Sequence, residues 1–130
     1  MRPNRSASDR LFRLLLLAGV LAAPLGCAST KGVDDPTSDV AKARSRYDIG
    51  LDHLRQQRVA LAVRELLMAE QLNPRDPYVH LALAEAYRRR GLLEQARSEL
   101  NESLAIDPAL QSARLNLAAV LIQMERYPES

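Results

Sequence analysis

An offset of about 34 residues brings side chains of similar size and type into register over much of the chain. A fixed period of this length is typical of proteins in which one small unit is stacked repeatedly. From Val40 onward, apolar residues also recur at helical spacing, so each unit is predicted to be helical. The aligned sets are Ile49, Leu83 and Leu117; Gly50, Ala84 and Ala118; Val59, Leu93 and Tyr127; Leu66 and Leu100; Leu72 and Ile106; Pro74 and Pro108.

Small residues within each unit indicate that two helices cross closely. Gly50 and Ala84 precede an alanine by the same interval, Ala62 and Ala96 respectively. Two antiparallel helices need side chains no larger than a methyl group where their axes approach. The sequence therefore predicts helical hairpins, with larger apolar residues filling the space on either side.

Local signals place the helix ends. Asn73-Pro74 and Asp107-Pro108 end each pair, because proline lacks an N–H and pushes the preceding residue out of the helical region. Asp76-Pro77 supplies an N-cap and a first helical residue, and Gly91 supplies a turn after three arginines. The predicted helices cover about 41–56, 59–72, 77–90, 93–106 and 111–125.

The aligned sets resemble the tetratricopeptide repeat over residues 43–130. The repeats would cover 43–76, 77–110 and an incomplete 111–130, or about two and a half units. The family pattern has a tryptophan near the start of each repeat, where this chain has Arg46, His80 and Arg114. The resemblance implies an all-α solenoid of helical hairpins stacked into a right-handed superhelix, which forms a domain from residue 40 to residue 130.

In the family, the first helices of the repeats line a concave groove that binds an extended or helical peptide. This resemblance places ten residues in the groove, most of them apolar. Some of them could instead pack between repeats. The set lacks the several Lys and Asn side chains by which some relatives hold a C-terminal carboxylate, so an amphipathic segment is the expected ligand. The ten residues are Tyr47, Leu51, Leu54, Tyr78, Leu81, Glu85, Arg88, Leu115, Ala119 and Ile122.

The first 26 residues have the three parts of a secretory signal. Four arginines precede or adjoin an apolar run from Leu14 to Leu25, and small residues follow. The run is too short for a helix of roughly 20 residues that spans a bilayer, although a retained membrane anchor is the alternative. The net charge of +2 arises from this leader, since residues 1–26 carry +3 and the remainder −1.

Cys27 is the single cysteine, and it directly follows the leader. With Ala22, Ala23 and Gly26 before it, it resembles the lipobox of bacterial lipoproteins, although Pro24 stands where that family usually has leucine. The resemblance implies a covalent lipid on Cys27 and, with Ala28 next, sorting to the outer membrane. The alternative is an ordinary signal peptide. Residues 27–39 lack periodicity and are predicted to be a flexible tether, which would leave the repeat domain in the periplasm.

No motif indicates catalysis or a cofactor. The chain has no Gly-rich phosphate loop, serine elbow or zinc motif. His53 and His80 are interpreted as isolated helical histidines without a paired acid at a telling spacing, so neither an enzyme nor a metal site is expected. The nearly neutral repeat region also lacks the basic face expected for nucleic-acid binding.

The combination of an acylated tether with repeats close behind it resembles the pilot lipoproteins of type IV pilus systems. The segments that carry this resemblance are "KARSRYDIGLDHLRQQ" and "LNLAAVLIQMERYPES". It implies an adaptor that helps a secretin subunit reach and assemble in the outer membrane. A general periplasmic scaffold for another envelope complex is the alternative. Members of the family are typically longer, so the chain is expected to be a piece of a longer protein, and an enzyme whose catalytic part lies beyond residue 130 is a third possibility.

Overall fold

The computed structural model describes residues 35–128, and the leader, Cys27 and most of the predicted tether lie outside this range. The described residues form five α-helices and no strands. None of these helices is long and apolar enough to cross a membrane. The helices are α1 Pro36–Arg55, α2 Val59–Leu72, α3 Pro77–Arg89, α4 Leu93–Ile106 and α5 Gln111–Arg126.

The helices after the first begin and end close to where the local signals predict. The Asp76 carboxylate accepts a hydrogen bond from the Tyr78 N–H at 2.9 Å and so caps α3. Gly91 has a φ of +75°, and Gln57, at the equivalent position one repeat earlier, has a φ of +61°. In both turns the next amide reaches back to an equivalent carbonyl, from Arg58 to His53 at 2.8 Å and from Leu92 to Tyr87 at 2.9 Å. The two hairpin turns therefore share the same closing hydrogen bond.

The start of α1 corrects the predicted tether. The helix begins at Pro36 rather than near residue 41, so residues 36–39 are helical and not part of a flexible segment. Asp35 is the N-cap, and its side chain accepts a hydrogen bond from the Thr37 N–H at 3.0 Å. The same Asp-Pro signal starts α3, and it overrides the polar composition of this stretch.

The helices pack as hairpins that lie against each other in chain order. The most extensive contacts join α1 to α2 and α3 to α4, while α2 contacts α3 and α4 contacts α5. Two hydrophobic clusters hold the stack together. The first, around Leu66 and Leu83, joins the first hairpin to α3; the second, around Leu100 and Val120, joins the second hairpin to α5.

The aligned small residues of each hairpin are buried where its two helices pack together. Ala62 and Ala96 are completely buried, and Ala84 is buried as well. The approach at Gly50 is tighter than predicted, because an added Cβ would lie 2.7 Å from Leu66 Cγ. A methyl group fits this column at Ala84 but not at Gly50.

Helix α5 packs through one face only among the described residues. Ala113 and Val120 are buried in the second cluster, whereas Leu121 and Ile122 are exposed. The helix ends at Arg126, and its C-cap is Tyr127, which aligns with Val59 and Leu93, the first residues of α2 and α4.

Candidate functional site

The ten predicted groove residues all lie on the first helices of the three repeats, which are α1, α3 and α5. Each of these helices contacts the next one, α1 to α3 and α3 to α5. Side chains on the shared face of this row can therefore act on one ligand. The structure separates the ten residues into exposed side chains, side chains that pack between repeats, and side chains that pair with each other.

Four of the predicted residues are exposed to solvent. Tyr78 on α3 is 51% exposed, and Leu115 and Ile122 on α5 are 63% and 54% exposed. Ala119 lies between the last two at helical spacing and is also exposed. Large apolar side chains at this exposure on neighbouring helices offer hydrophobic contact area that the described residues do not cover.

Four others pack between repeats, as the alternative interpretation allowed. Leu54 is only 5% exposed and belongs to the first hydrophobic cluster, so its assignment to the groove is wrong. Tyr47 and Leu51 pack against the same cluster and are half-buried, and Leu81 packs in this way against the second cluster. These positions contribute to the packing because consecutive first helices lie side by side.

Tyr47 lies at the edge between packing and exposure. Burial raises the pKa of its phenol, and the carboxylates of Asp76 and Asp48 contribute in the same direction. The Arg44 guanidinium lies 5.4 Å from the centre of the Tyr47 ring, within the range of a cation–π interaction. Tyr47 therefore lies partly buried at the start of the row of first helices.

Glu85 and Arg88, the two charged residues of the predicted set, pair with each other. The Arg88 guanidinium donates to the Glu85 carboxylate at 2.9 and 3.0 Å, and Arg89 donates to it at 2.7 Å. Arg89 also donates to the Leu54 carbonyl at 2.8 Å, which ties α3 to the C-terminal end of α1. This cluster is satisfied internally, so the predicted surface offers mainly apolar side chains to a ligand.

A second set of polar contacts, not predicted from the sequence, lies at the positions where the tetratricopeptide-repeat pattern has tryptophan. Arg46 donates to Glu65 at 2.8 Å, and His80 contacts Glu99 at 2.9 Å, each pair being 19 residues apart. The two pairs are themselves one repeat period apart. Both pairs follow one sequence pattern, in which a basic residue is followed 19 residues later by glutamate. The recurrence of this pattern at the repeat period could have predicted the two pairs.

Residues at this position also reach back to the preceding repeat. His80 Nε2 lies 3.1 Å from the Pro74 carbonyl, and the Arg114 guanidinium donates to the Pro108 carbonyl at 2.8 and 3.1 Å. These bonds satisfy the carbonyl of the proline that ends each hairpin, where no helical partner is present. In the second and third repeats, one side chain thus joins a helix to the end of the preceding hairpin.

In the Arg46–Glu65 pair, the carboxylate is a buried charge. Glu65 is 4% exposed and accepts hydrogen bonds from Arg46 and from Arg64, the latter at 2.9 and 3.2 Å. These hydrogen bonds lower the pKa of Glu65 below its ordinary value.

The interpretation of His80 as a histidine without a paired acid is wrong. The ring is 4% exposed, and Glu70 lies 3.9 Å from Nδ1 in addition to Glu99. The hydrogen bond to Glu99 is the main reason that the pKa of His80 rises to about 9. Burial raises the pKa of Glu70, and the nearby Glu99 raises it further. His53 lies apart from this cluster, and its Nδ1 is buried without a hydrogen-bond partner among the described residues.

Comparison with known proteins identifies the fold. No protein-family profile and no curated protein sequence matches the chain. Among solved structures, it is similar to the first TPR of Spaghetti (RPAP3) bound to HSP90 peptide SRMEEVD, with a TM-score of 0.65 and 20% sequence identity. The match covers 67% of this chain and 69% of that chain. The chain thus has the tetratricopeptide-repeat fold of helical hairpins that the repeat period predicts.

Proposed function

We propose that the chain is a non-catalytic scaffold that binds a protein partner through a peptide segment laid across α1, α3 and α5. The observation that carries the proposal is the exposure of Tyr78, Leu115 and Ile122 on neighbouring first helices. In the similar solved structure, a domain of the same fold is bound to a peptide.

The chemistry of this surface favours an amphipathic ligand. The Glu85–Arg88–Arg89 cluster is internally paired, and the exposed residues that remain in the predicted set are Tyr78 and three apolar side chains of α5. An amphipathic helix can place its apolar residues at i, i+3, i+4 and i+7 against such a surface. A ligand that depends on its terminal carboxylate would find no cluster of lysine and asparagine side chains among the predicted groove residues.

Peptide binding can be tested with one substitution on the row of first helices and one on a second helix. The probe is a panel of fluorescent amphipathic peptides of about 15 residues, and binding is measured by fluorescence anisotropy. Ile122→Glu on α5 is expected to weaken binding at least about tenfold, because it places a charge at an apolar contact. Met68→Glu is the matched control, since Met68 is 37% exposed but lies on α2, outside the row of first helices.

Equal loss of binding in both variants would show that the peptides bind any exposed apolar surface, which would contradict the proposed site. Unchanged binding in Ile122→Glu would also refute the proposed surface. Circular dichroism of both variants establishes that the fold is retained.

We further propose that the scaffold is held at the outer membrane by lipid on Cys27, with the repeat domain in the periplasm. The basic start, the short apolar run and the Gly26-Cys27 pair support this proposal. Acyl chains contribute about 0.8 kcal/mol per buried CH₂, and two or more chains give stable anchoring. Cys27→Ala should abolish incorporation of labelled fatty acid and move the chain from the membrane to the soluble fraction.

The finer role that we propose is that of a pilot for a secretin of a type IV pilus system. The support is the order of acylated cysteine, short spacer and repeats. Cells with Cys27→Ala should contain a folded repeat domain and lack multimeric secretin. Normal secretin multimers in that strain would refute the pilot role and leave a scaffold for another envelope complex.

A further inference from the structure

The cluster formed by Glu70, His80 and Glu99 has the composition of a metal site. His80 Nδ1 lies 2.9 Å from Glu99 Oε2 and 3.9 Å from Glu70 Oε1, and the three ligand atoms are all within 4.8 Å of one another. The residues come from three helices, since Glu70 lies on α2, His80 on α3 and Glu99 on α4. The cluster therefore spans the junction between the first and second hairpins.

The orientation of the His80 ring leaves Nδ1 to face the carboxylates. Nε2 lies 3.1 Å from the Pro74 carbonyl oxygen, which can only accept, so Nε2 carries a proton. A backbone carbonyl in this role commonly fixes the ring of a metal-ligating histidine. A bare Nδ1 lone pair at 2.9 Å from a carboxylate oxygen would be repelled. The two atoms therefore share a cation: a proton at the present distance of 2.9 Å, or a metal ion if they separate by a few tenths of an ångström.

The cluster also contains more negative charge than one imidazole can balance. Two carboxylates face the single imidazole of His80, at 2.9 Å and 3.9 Å from Nδ1. The equivalent pair in the first repeat is different, because there two guanidiniums serve the single carboxylate of Glu65. Glu70 is the additional group, and the residue at the equivalent place in the next repeat is Leu104. The second acid is therefore specific to this junction.

We propose that Glu70, His80 and Glu99 bind a zinc ion that fastens the first hairpin to the second. One imidazole nitrogen and two carboxylate oxygens are ligands that Zn²⁺ accepts, with water in the fourth position. The ion displaces the proton shared by His80 and Glu99 to solvent. Bond lengths of about 2.0–2.2 Å place the ligand atoms of a tetrahedral site roughly 3.3–3.6 Å apart, so the Glu70 carboxylate must move inward by about an ångström and the Glu99 oxygen must draw back slightly from Nδ1. Its side chain is 32% exposed and can make this movement, which also gives the ion a route from solvent.

The proposal is tested by calorimetric titration of the chelator-treated full chain with ZnCl₂. The chain is purified in mild detergent with Cys27→Ser, so that the thiol cannot compete as a ligand. We expect one Zn²⁺ per chain, with an affinity that falls at least about tenfold in Glu70→Gln and in His80→Gln. Glu94→Gln is the matched control, because it removes the same charge from an exposed site on α4 without touching the cluster.

Because His80 is buried, His80→Gln could also disturb folding, and Glu70→Gln at the exposed edge of the cluster is the decisive variant. Circular dichroism compares its helix content with that of the parent chain. Absence of stoichiometric Zn²⁺ binding to the parent would overturn the proposal. An affinity in Glu70→Gln equal to that of Glu94→Gln would overturn it as well.

Discussion

Replacing Gly50 by alanine tests how closely α1 and α2 approach. On helix propensity alone, glycine to alanine within a helix should stabilise the chain by about 1 kcal/mol. The structure predicts the opposite effect, a loss of stability. The new Cβ would lie 2.7 Å from Leu66 Cγ and 2.8 Å from Leu66 Cδ2, about 1 Å closer than an ordinary carbon contact. Leu66 is completely buried, so it has no open space to move into.

Overpacking of this kind typically costs about 1–3 kcal/mol. After the gain in helix propensity, Gly50→Ala should lower the free energy of unfolding by about 1 kcal/mol. In a domain of this size, that change lowers the melting temperature by about 4–8 °C. Thermal unfolding followed by circular dichroism measures it, with Ala84→Gly as the reverse change at the equivalent position. Ala84→Gly should also destabilise the chain, and a melting temperature raised by Gly50→Ala would refute the close approach.

Three further predictions address the packing, the buried charge and the turns. Ala96→Leu should force the second hairpin apart at a cost of about 1–3 kcal/mol in urea unfolding, whereas Arg97→Ala next to it should change stability little. Glu65→Gln should remove a pH-dependent contribution: because the pKa of Glu65 is lowered from its ordinary 4.5, the carboxylate stabilises the fold above that value. The stability difference between parent and variant should therefore shrink as the pH falls through the folded pKa, and a pH-independent difference would contradict the assigned ion pair. Gly91→Ala should cost about 1–2 kcal/mol from its positive φ alone, since an added Cβ meets nothing within 4 Å. An unchanged melting temperature would contradict this account of the turn.

Most helix ends can be predicted from the sequence because capping is a local matter. Asp76-Pro77 and Asn73-Pro74 act within one turn of chain, and the helices that they delimit start or end where predicted. The start of α1 differs from the prediction although Asp35-Pro36 gives the same signal as Asp76-Pro77. The polar composition around it favours a spacer, but a cap needs no apolar neighbours to form.

The candidate groove is harder to predict because exposure is a property of neighbours. Leu54 and Ile122 occupy the same position in the first and third repeats, yet one is 5% and the other 54% exposed. The two residues have the same place in the repeat, so the difference in exposure comes from their neighbours. Helix α3 packs against Leu54, whereas among the described residues no helix packs in the same way against Ile122.

The sequence by itself determined the repeat period, most helix bounds and the type of fold, because each repeat encodes the same hairpin in local propensities and small-residue columns. Only the tertiary structure decided how tightly Gly50 meets Leu66, which groove candidates are exposed, and that Glu70 joins His80 and Glu99. Those features depend on the distance and angle between helices. The physical reason is that the local sequence pattern determines on which face of its helix a side chain lies. Which residues it contacts depends on the helices that the rest of the chain packs against that face.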